Sequence, residues 1–145
     1  MNVIEISGGT QSQRNYATSM VYFCIDMLMP RMQTLDIEVK LTAPQGAMGY
    51  CLETDNNRTF EIELDRKLPL RKLMETLAHE MVHVKQYARR EFHPAHDKWM
   101  GKTVNPKKVS YWDLPWEIEA HGREVGLFVR WCEANNYTAK WTQLG

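Results

Sequence analysis

The sequence predicts an α+β fold in which residues 1–145 form one domain. Four segments have the apolar pattern of β-strands, and three longer segments place apolar residues at helical spacing. No linker, internal repeat or low-complexity tract separates these segments. A chain of 145 residues is long enough to bury one hydrophobic core.

A strand and a helix are predicted at the N-terminus. Residues 2–7 are rich in valine and isoleucine and end at a Gly-Gly pair, which favours a short strand. The helix that follows is expected to begin near Thr10 or Ser12 and to end before Pro30, because proline disfavours a helical conformation in the preceding residue. Its predicted core face consists of Tyr16, Met20, Phe23, Met27 and Leu28.

Three more strands are predicted before residue 66. Residues 34–42 alternate apolar and polar side chains, and residues 47–54 and 58–65 form a predicted hairpin. The Asp-Asn-Asn sequence at positions 55–57 tolerates the backbone conformations of a tight turn. In the second hairpin strand, apolar residues alternate with acidic ones, which predicts one buried face and one solvated face.

The second helix, predicted from about Leu70 to Ala88, carries the most informative pattern in the chain. The segment contains no glycine or proline, and Pro69 suits a helix start. Its apolar residues fall on one stripe, whereas His79 and His83 project nearly opposite that stripe, about 40° apart and one turn from each other. Two imidazoles placed in this way can bind one metal ion.

His79, Glu80 and His83 form the pattern HExxH. The two histidines supply two zinc ligands, and the glutamate between them can reach a water on the metal. A catalytic zinc site has three protein ligands and keeps one position for water, so a third ligand is required. The sequence therefore predicts Zn²⁺ as the cofactor and Glu80 as the general base.

A third helix is predicted from about Pro115 to Asn135, after an irregular segment at residues 91–110. Asp113 is the expected N-cap, and Pro115 suits the first turn. The predicted apolar face consists of Trp116, Ala120, Leu127, Phe128 and Trp131.

The candidates for the third zinc ligand are His96, Glu117, Glu119 and His121. Glu119 and His121 project about 160° apart around their helix, so the two are not expected to bind the same ion. Glu119 shares its side of the helix with Gly122 and Gly126, which would let a neighbouring helix approach closely. The sequence therefore favours Glu119, with the other three residues as alternatives.

The two motifs HEMVH and LPWEIEAHGRE together resemble those of gluzincin-type zinc metallopeptidases, in particular small single-domain HExxH proteins encoded by bacteriophages and bacteria. The resemblance covers residues 60–124. It implies a zincin-like fold with a small mixed sheet, an N-terminal helix, an HExxH helix and a C-terminal helix that supplies a glutamate. In that group the glutamate is commonly followed by alanine, as in Glu119-Ala120. The resemblance also implies that the strand Phe60 to Leu64 borders the substrate cleft.

A second resemblance concerns His96. SprT-like metallopeptidases take their third ligand from a histidine shortly after HExxH, and the segment from His96 to Trp99 is similar to theirs. That family has glycine where this chain has Asp97, and this chain also lacks the basic patch and zinc-ribbon cysteines.

The predicted activity is hydrolysis of peptide bonds in a peptide or protein substrate by a zinc-activated water; the alternatives are a metal-binding interaction or structural protein of the same fold without proteolytic activity, and a SprT-like protease with His96 as third ligand. His79, His83 and Glu119 would hold the zinc, and Glu80 would take the proton of the water and pass it to the leaving amine. Tyr111 or His121 is the expected donor to the oxyanion.

Composition argues against several other classes of protein. With 18 basic and 18 acidic residues and a net charge of +0, no general attraction to nucleic acid or membranes is expected. The three cysteines never form a CxxC pair, which predicts reduced thiols in a reducing compartment such as the cytoplasm. If the protein is phage-encoded, that compartment is the cytoplasm of the host. The N-terminus does not resemble a signal peptide, and the most apolar run, residues 20–29, is too short to span a bilayer.

Overall fold

The computed structural model of the chain describes residues 1–43, 46–54 and 56–143. Its main elements in chain order are β1 (Val3–Gly8), α1 (Gln11–Leu28), β2 (Asp36–Thr42), β3 (Gly49–Glu53), β4 (Thr59–Asp65), α2 (Leu70–Ala88) and α3 (Pro115–Asn135). Between α2 and α3, a second small sheet is formed by β5 (Phe92–His93), β6 (Lys98–Trp99) and β7 (Lys102–Thr103). The α+β class predicted from the sequence is confirmed.

The main sheet has the strand order β1-β2-β4-β3. Strands β1, β2 and β4 are parallel, and β3 pairs with β4 in the antiparallel direction. Helix α1 provides the crossover that the parallel pair β1 and β2 requires. One face of β2 and β4 is fully buried and joins the three helices in a single core: Ile37, Val39, Leu41, Phe60, Ile62 and Leu64.

The strand at the free edge beside α2 is β3, and this corrects an expectation from the sequence. The segment Phe60 to Leu64 was expected to border the cleft, but it lies in β4, which is paired on both sides. A Cβ atom at Gly49 would lie 3.0 Å from Thr76 Cγ2 and 2.7 Å from Leu64 Cδ2. The missing side chain therefore lets β3 approach α2 closely.

Helix α1 begins and ends within two residues of the predicted positions. Thr10 is its N-cap: the Thr10 hydroxyl oxygen accepts a hydrogen bond from the Gln13 backbone N–H, and the Gln13 side-chain oxygen accepts one from the Thr10 backbone N–H. The predicted core face is right for Met20 and Leu28 but wrong for Met27, which is 44% exposed. The buried face is rotated toward Ala17, Val21, Cys24 and Ile25, because α1 packs against α2 as well as the sheet.

Helices α2 and α3 have the predicted bounds. The expected cap at Asp113 is wrong, because Asp113 belongs to a preceding 3₁₀ turn and the N-cap position is Leu114. All five predicted apolar residues of α3 are buried. The Phe92 ring stacks on Trp116 with a centroid distance of 4.0 Å, which holds the start of α3 near the end of α2. Among the described residues, no helix is both long and apolar enough to cross a membrane.

Candidate metal centre

The HExxH motif lies within α2, as predicted, and its side chains are buried. His79 and His83 are 8% and 7% exposed, and their ring centroids are 4.9 Å apart. Helix α3 covers these histidines, because the apolar residues of α3 pack against α2. The two imidazoles therefore face a neighbouring helix rather than solvent.

The carboxylate that meets both histidines belongs to Glu117. One Glu117 oxygen lies 3.0 Å from His79 Nε2 and the other lies 3.3 Å from His83 Nε2. In a tetrahedral zinc site with bonds of about 2.0–2.1 Å, neighbouring ligand atoms are separated by about 3.3 Å. The distances and the donor types of His79, His83 and Glu117 therefore fit a divalent metal such as zinc.

This geometry corrects the choice of Glu119 as the third member of the group. The Glu119 carboxylate accepts hydrogen bonds from Lys85, Gln86 and Arg123. It therefore already has two cationic partners, and it makes no direct contact with either imidazole. Glu117 was one of the alternatives that the sequence left open.

Gly122 and Gly126 do not mark a close helix contact. Apart from the adjoining backbone of α3 itself, no atom of the described residues lies within 4 Å of the position that a Cβ would take at either glycine. These glycines face open space. A better signal was available in the spacing of Glu117, His121 and Glu124, since positions i, i+4 and i+7 share one side of a helix.

Glu124 is a functional candidate that the sequence argument missed. Its two oxygens lie 3.0 Å from His79 Nδ1 and 3.0 Å from His121 Nδ1. Both ring nitrogens of His79 lie beside a carboxylate, so the ring carries two hydrogens in the metal-free protein, and the Glu124 contact would keep the hydrogen on Nδ1 when a metal displaces the one on Nε2. The Nε2 lone pair of His79 is then directed toward Glu117, where a metal would bind it.

Gln86 fixes the tautomer of His83 in the same way. Its amide nitrogen donates to the Trp116 carbonyl and to Glu119, so its oxygen is left to accept from His83 Nδ1 at 2.8 Å. Gln86 is fully buried and orients the His83 imidazole from behind. Glu75 also lies on the histidine side of α2, but its carboxylate pairs with Arg71.

Three carboxylates surround the two histidines without a strong cation. Among the described residues, no lysine or arginine forms an ion pair with Glu80, Glu117 or Glu124. Burial lowers the pKa of His79, but its hydrogen bonds to Glu117 and Glu124 outweigh burial and raise the pKa to about 9. The excess negative charge that draws a proton onto His79 also favours a divalent cation in its place.

Glu80 lies in the cleft beside this group and is itself 6% exposed. Burial raises the pKa of its carboxyl group, although the nearby histidines oppose that effect. Tyr111 reaches the group from the turn before α3, with its hydroxyl 3.1 Å from Glu117 and 2.9 Å from His121 Nε2. The pKa of Tyr111 is raised by burial and by the Glu117 charge, so its hydroxyl stays protonated at neutral pH.

Two other sets of residues are possible metal ligands. His96 is exposed and belongs to neither cluster of metal-ligating side chains found in the described residues, which removes the geometric basis of the SprT-like alternative. His79, His121 and Glu124 form the second cluster. That cluster contains only one histidine of the HExxH motif, and its His121 and Glu124 side chains are more exposed than those of His83 and Glu117.

Comparison of the chain with models of known protein families, with curated proteins and with solved structures finds no match. The arrangement of a mixed sheet, with His79 and His83 on α2 and Glu117 on α3, is consistent with a zincin-like fold.

Proposed function

We propose that this protein is a zinc-dependent peptidase that hydrolyses peptide bonds in a peptide or protein substrate. The observation that carries the proposal is the position of Glu80. It lies in a cleft directly beside the His79, His83 and Glu117 group, and no lysine or arginine of the described residues forms an ion pair with it. A site that only braced the fold would have no use for a free carboxylate there.

His79, His83 and Glu117 would hold the metal. When bound, zinc acidifies a water molecule and polarises the substrate carbonyl. Gln86 and Glu124 orient the two imidazoles so that both Nε2 atoms remain available as ligands. The metal ligands would thus be held by α2 and α3 themselves rather than by loops.

Glu80 accepts the proton of the attacking water in this mechanism. Burial raises its pKa toward neutrality, which suits a group that must take a proton and later release it. The proton then passes from the Glu80 carboxyl to the leaving amine.

Tyr111 is proposed to stabilise the negative charge that develops on the carbonyl oxygen. Its protonated hydroxyl faces the same cleft, and its contacts with Glu117 and His121 hold it near the reacting group. A donor placed in this way acts most strongly on the transition state. His121 supports Tyr111 from behind and is in turn held by Glu124.

The edge strand β3 offers a binding surface for an extended peptide. Its backbone is paired only with β4 among the described strands, and its residues Gly49, Tyr50 and Cys51 line the cleft with Glu80. A peptide that adds to this edge gains main-chain hydrogen bonds and lies across the site.

The proposal is tested by incubating the purified protein with a broad peptide library, with zinc or with a chelator, beside the variant Glu80→Gln. Cleavage should require the metal and should fall by about a hundredfold or more in Glu80→Gln, with about one zinc per chain retained. Glu133→Gln, on the exposed end of α3, is the matched control and should cleave like the wild type. Cleavage that survives both the chelator and Glu80→Gln would refute the mechanism.

A further inference from the structure

The cleft beside Glu80 divides into two lobes with different chemistry. Both are bordered by Gly49, His79, Glu80 and Tyr111. One, which we call the aromatic lobe, has a volume of about 290 Å³ and is lined by Tyr50, Tyr87, Phe92, Tyr111 and Trp116. The other, which we call the lysine lobe, has a volume of about 230 Å³ and contains the only lysine on either lining.

That lysine is Lys72, one of the residues of α2 before the HExxH motif. It is partly buried, and it forms no ion pair with any residue that the structure describes. The other charged groups in the lysine lobe are Glu80, which the proposed reaction uses, Glu124, whose oxygens are taken by His79 and His121, and His79 when it is protonated. Among the described residues, Lys72 therefore has no ion-pair partner in a pocket next to the reacting groups.

The position of Lys72 matches a group near the bond to be cleaved. Lys72 precedes His79 by seven residues, which is two helical turns or about 10 Å along α2. Lys72 lines the same lobe as His79 and Glu80, and residues of an extended peptide are spaced about 3.3 Å apart. The ammonium group can thus reach a carboxylate one or two residues from the scissile bond.

The edge strand indicates on which side of the scissile bond that carboxylate lies. Strand β3 starts at Gly49, beside Thr76 and the lysine lobe, and its far end at Glu53 lies near Tyr87. A peptide that pairs with β3 in the antiparallel direction runs from the Glu53 end to the Gly49 end. Residues after the scissile bond then enter the lysine lobe, and residues before it meet the aromatic lobe.

We propose that Lys72 binds a substrate carboxylate on the C-terminal side of the scissile bond, so that the protein selects peptides with an acidic residue or a free C-terminus at that position. The proposal rests on the peptidase function proposed above. Its chemistry is a charge-assisted hydrogen bond in a partly desolvated pocket, which gives strong discrimination against a neutral side chain.

The test uses four peptides of equal length, all blocked at the N-terminus and all with phenylalanine before the scissile bond. Three have an amidated C-terminus and carry glutamate, glutamine or lysine after the bond. The fourth carries glutamine after the bond as its last residue, with a free C-terminal carboxylate. Wild-type kcat/KM is expected to be about tenfold to a hundredfold higher for a carboxylate-bearing peptide than for the amidated glutamine peptide. A gain for the glutamate peptide alone assigns the site to side chains, and a gain for the free carboxylate alone assigns it to C-termini.

Variants of Lys72 decide whether this residue is the cause. In Lys72→Met, kcat/KM for a carboxylate-bearing peptide should be about equal to kcat/KM for the amidated glutamine peptide. In Lys72→Glu, the lysine peptide should become the preferred substrate. Lys107→Met, which changes an exposed lysine far along the chain, should keep the wild-type ratio. Equal wild-type rates for all four peptides, or a preference that persists in Lys72→Met, would overturn the proposal.

A binding measurement separates this proposal from the peptidase proposal. The zinc-loaded Glu80→Gln protein is titrated into the same peptides carrying a dye, and fluorescence anisotropy gives the affinities. If the wild type cleaves none of the peptides, the peptidase proposal fails. The Lys72 proposal then requires that the carboxylate-bearing peptides bind the protein more tightly than the amidated glutamine peptide, and that this difference disappears when Lys72→Met is added. Equal affinities, or no binding by any peptide, would contradict it.

Discussion

Glu117 and Glu119 are two residues apart on α3, and their surroundings differ in one decisive respect. Glu117 faces the Nε2 atoms of two imidazoles and the hydroxyl of a tyrosine. Glu119 faces the ammonium group of Lys85, the guanidinium of Arg123 and an amide. Hydrogen bonds from these partners hold the pKa of both carboxyl groups below the usual range, although burial alone would raise it.

The hydrogen-bond partners of a buried carboxylate therefore determine its role. Glu119 is already neutralised by permanent cations, so binding a metal there would require breaking those ion pairs. Glu117 is matched only by imidazoles, which can lose their protons to a competing metal. The comparison predicts which carboxylate binds the metal and which one stabilises the packing of α2 against α3.

The largest expected effect is on metal affinity in Glu117→Gln. Loss of this ligand should weaken zinc binding by at least about a hundredfold, because only the two histidines would remain as protein ligands. Isothermal titration of zinc into the metal-free protein measures the change. Glu119→Gln is the matched control, and it should retain affinity to within about tenfold, since it acts on His83 only through Gln86. Equal losses in the two variants would remove the distinction between the carboxylates.

Glu124→Gln should have an intermediate effect. The amide cannot hold the Nδ1–H tautomer of His79 as firmly as the carboxylate does, so zinc affinity should fall by about tenfold to a hundredfold. The same titration measures the loss, with Glu133→Gln as an exposed control on the same helix. Unchanged affinity would show that the Glu124 contact does not orient the metal ligand.

The metal-free protein should lose stability as the pH rises. The folded-state pKa of His79 is about 9, above its ordinary value of 6.5, so its contribution is complete below pH 6.5 and is lost as the pH rises through 9. Urea unfolding with a chelator should show a loss on the order of 2 kcal/mol between pH 6 and pH 9. The slope should be reduced in Glu117→Gln, where the Glu124 contact still raises the pKa of His79, and should persist in full in Glu119→Gln. A metal-free wild type that is more stable at pH 9 would contradict the proposed charge balance.

The smallest effect is expected for the stability of Glu119→Gln. Removing the charge weakens its contacts with Lys85 and Arg123, while Lys85 keeps its ion pair with Glu91. The free energy of unfolding should therefore fall by about 1 kcal/mol, whether or not zinc is present. Urea unfolding with and without zinc checks this. A loss that appears only in the zinc-loaded protein would instead assign Glu119 to the metal.

Much of the fold followed from local patterns in the sequence. The bounds of α2 and α3 are set by apolar spacing and by Pro69, Pro115 and Asn136, all of which act within a few residues. The order of the strands in the sheet did not follow from such patterns, because pairing depends on contacts between distant segments. That is why β4, with its clean alternation, was taken for the strand at the cleft when β3 is the edge.

The candidate site divides in the same way. His79, Glu80 and His83 lie within one helical turn, so the sequence alone brings them together. The third carboxylate depends on how α3 is rotated against α2, and that rotation is set by the burial of Trp116 and Ala120 against distant segments. The local signal for it was the shared helix side of Glu117, His121 and Glu124. Resemblance to a Glu-Ala motif pointed to Glu119, two residues from the side chain that meets the histidines.

Anomalous diffraction from crystals grown with zinc, measured on both sides of the zinc absorption edge, would locate the metal. We expect one strong peak within about 2.0–2.2 Å of His79 Nε2, of His83 Nε2 and of a Glu117 oxygen. A peak at Glu119, a peak between His79 Nδ1, His121 and Glu124, or no peak beside the two Nε2 atoms would contradict this expectation.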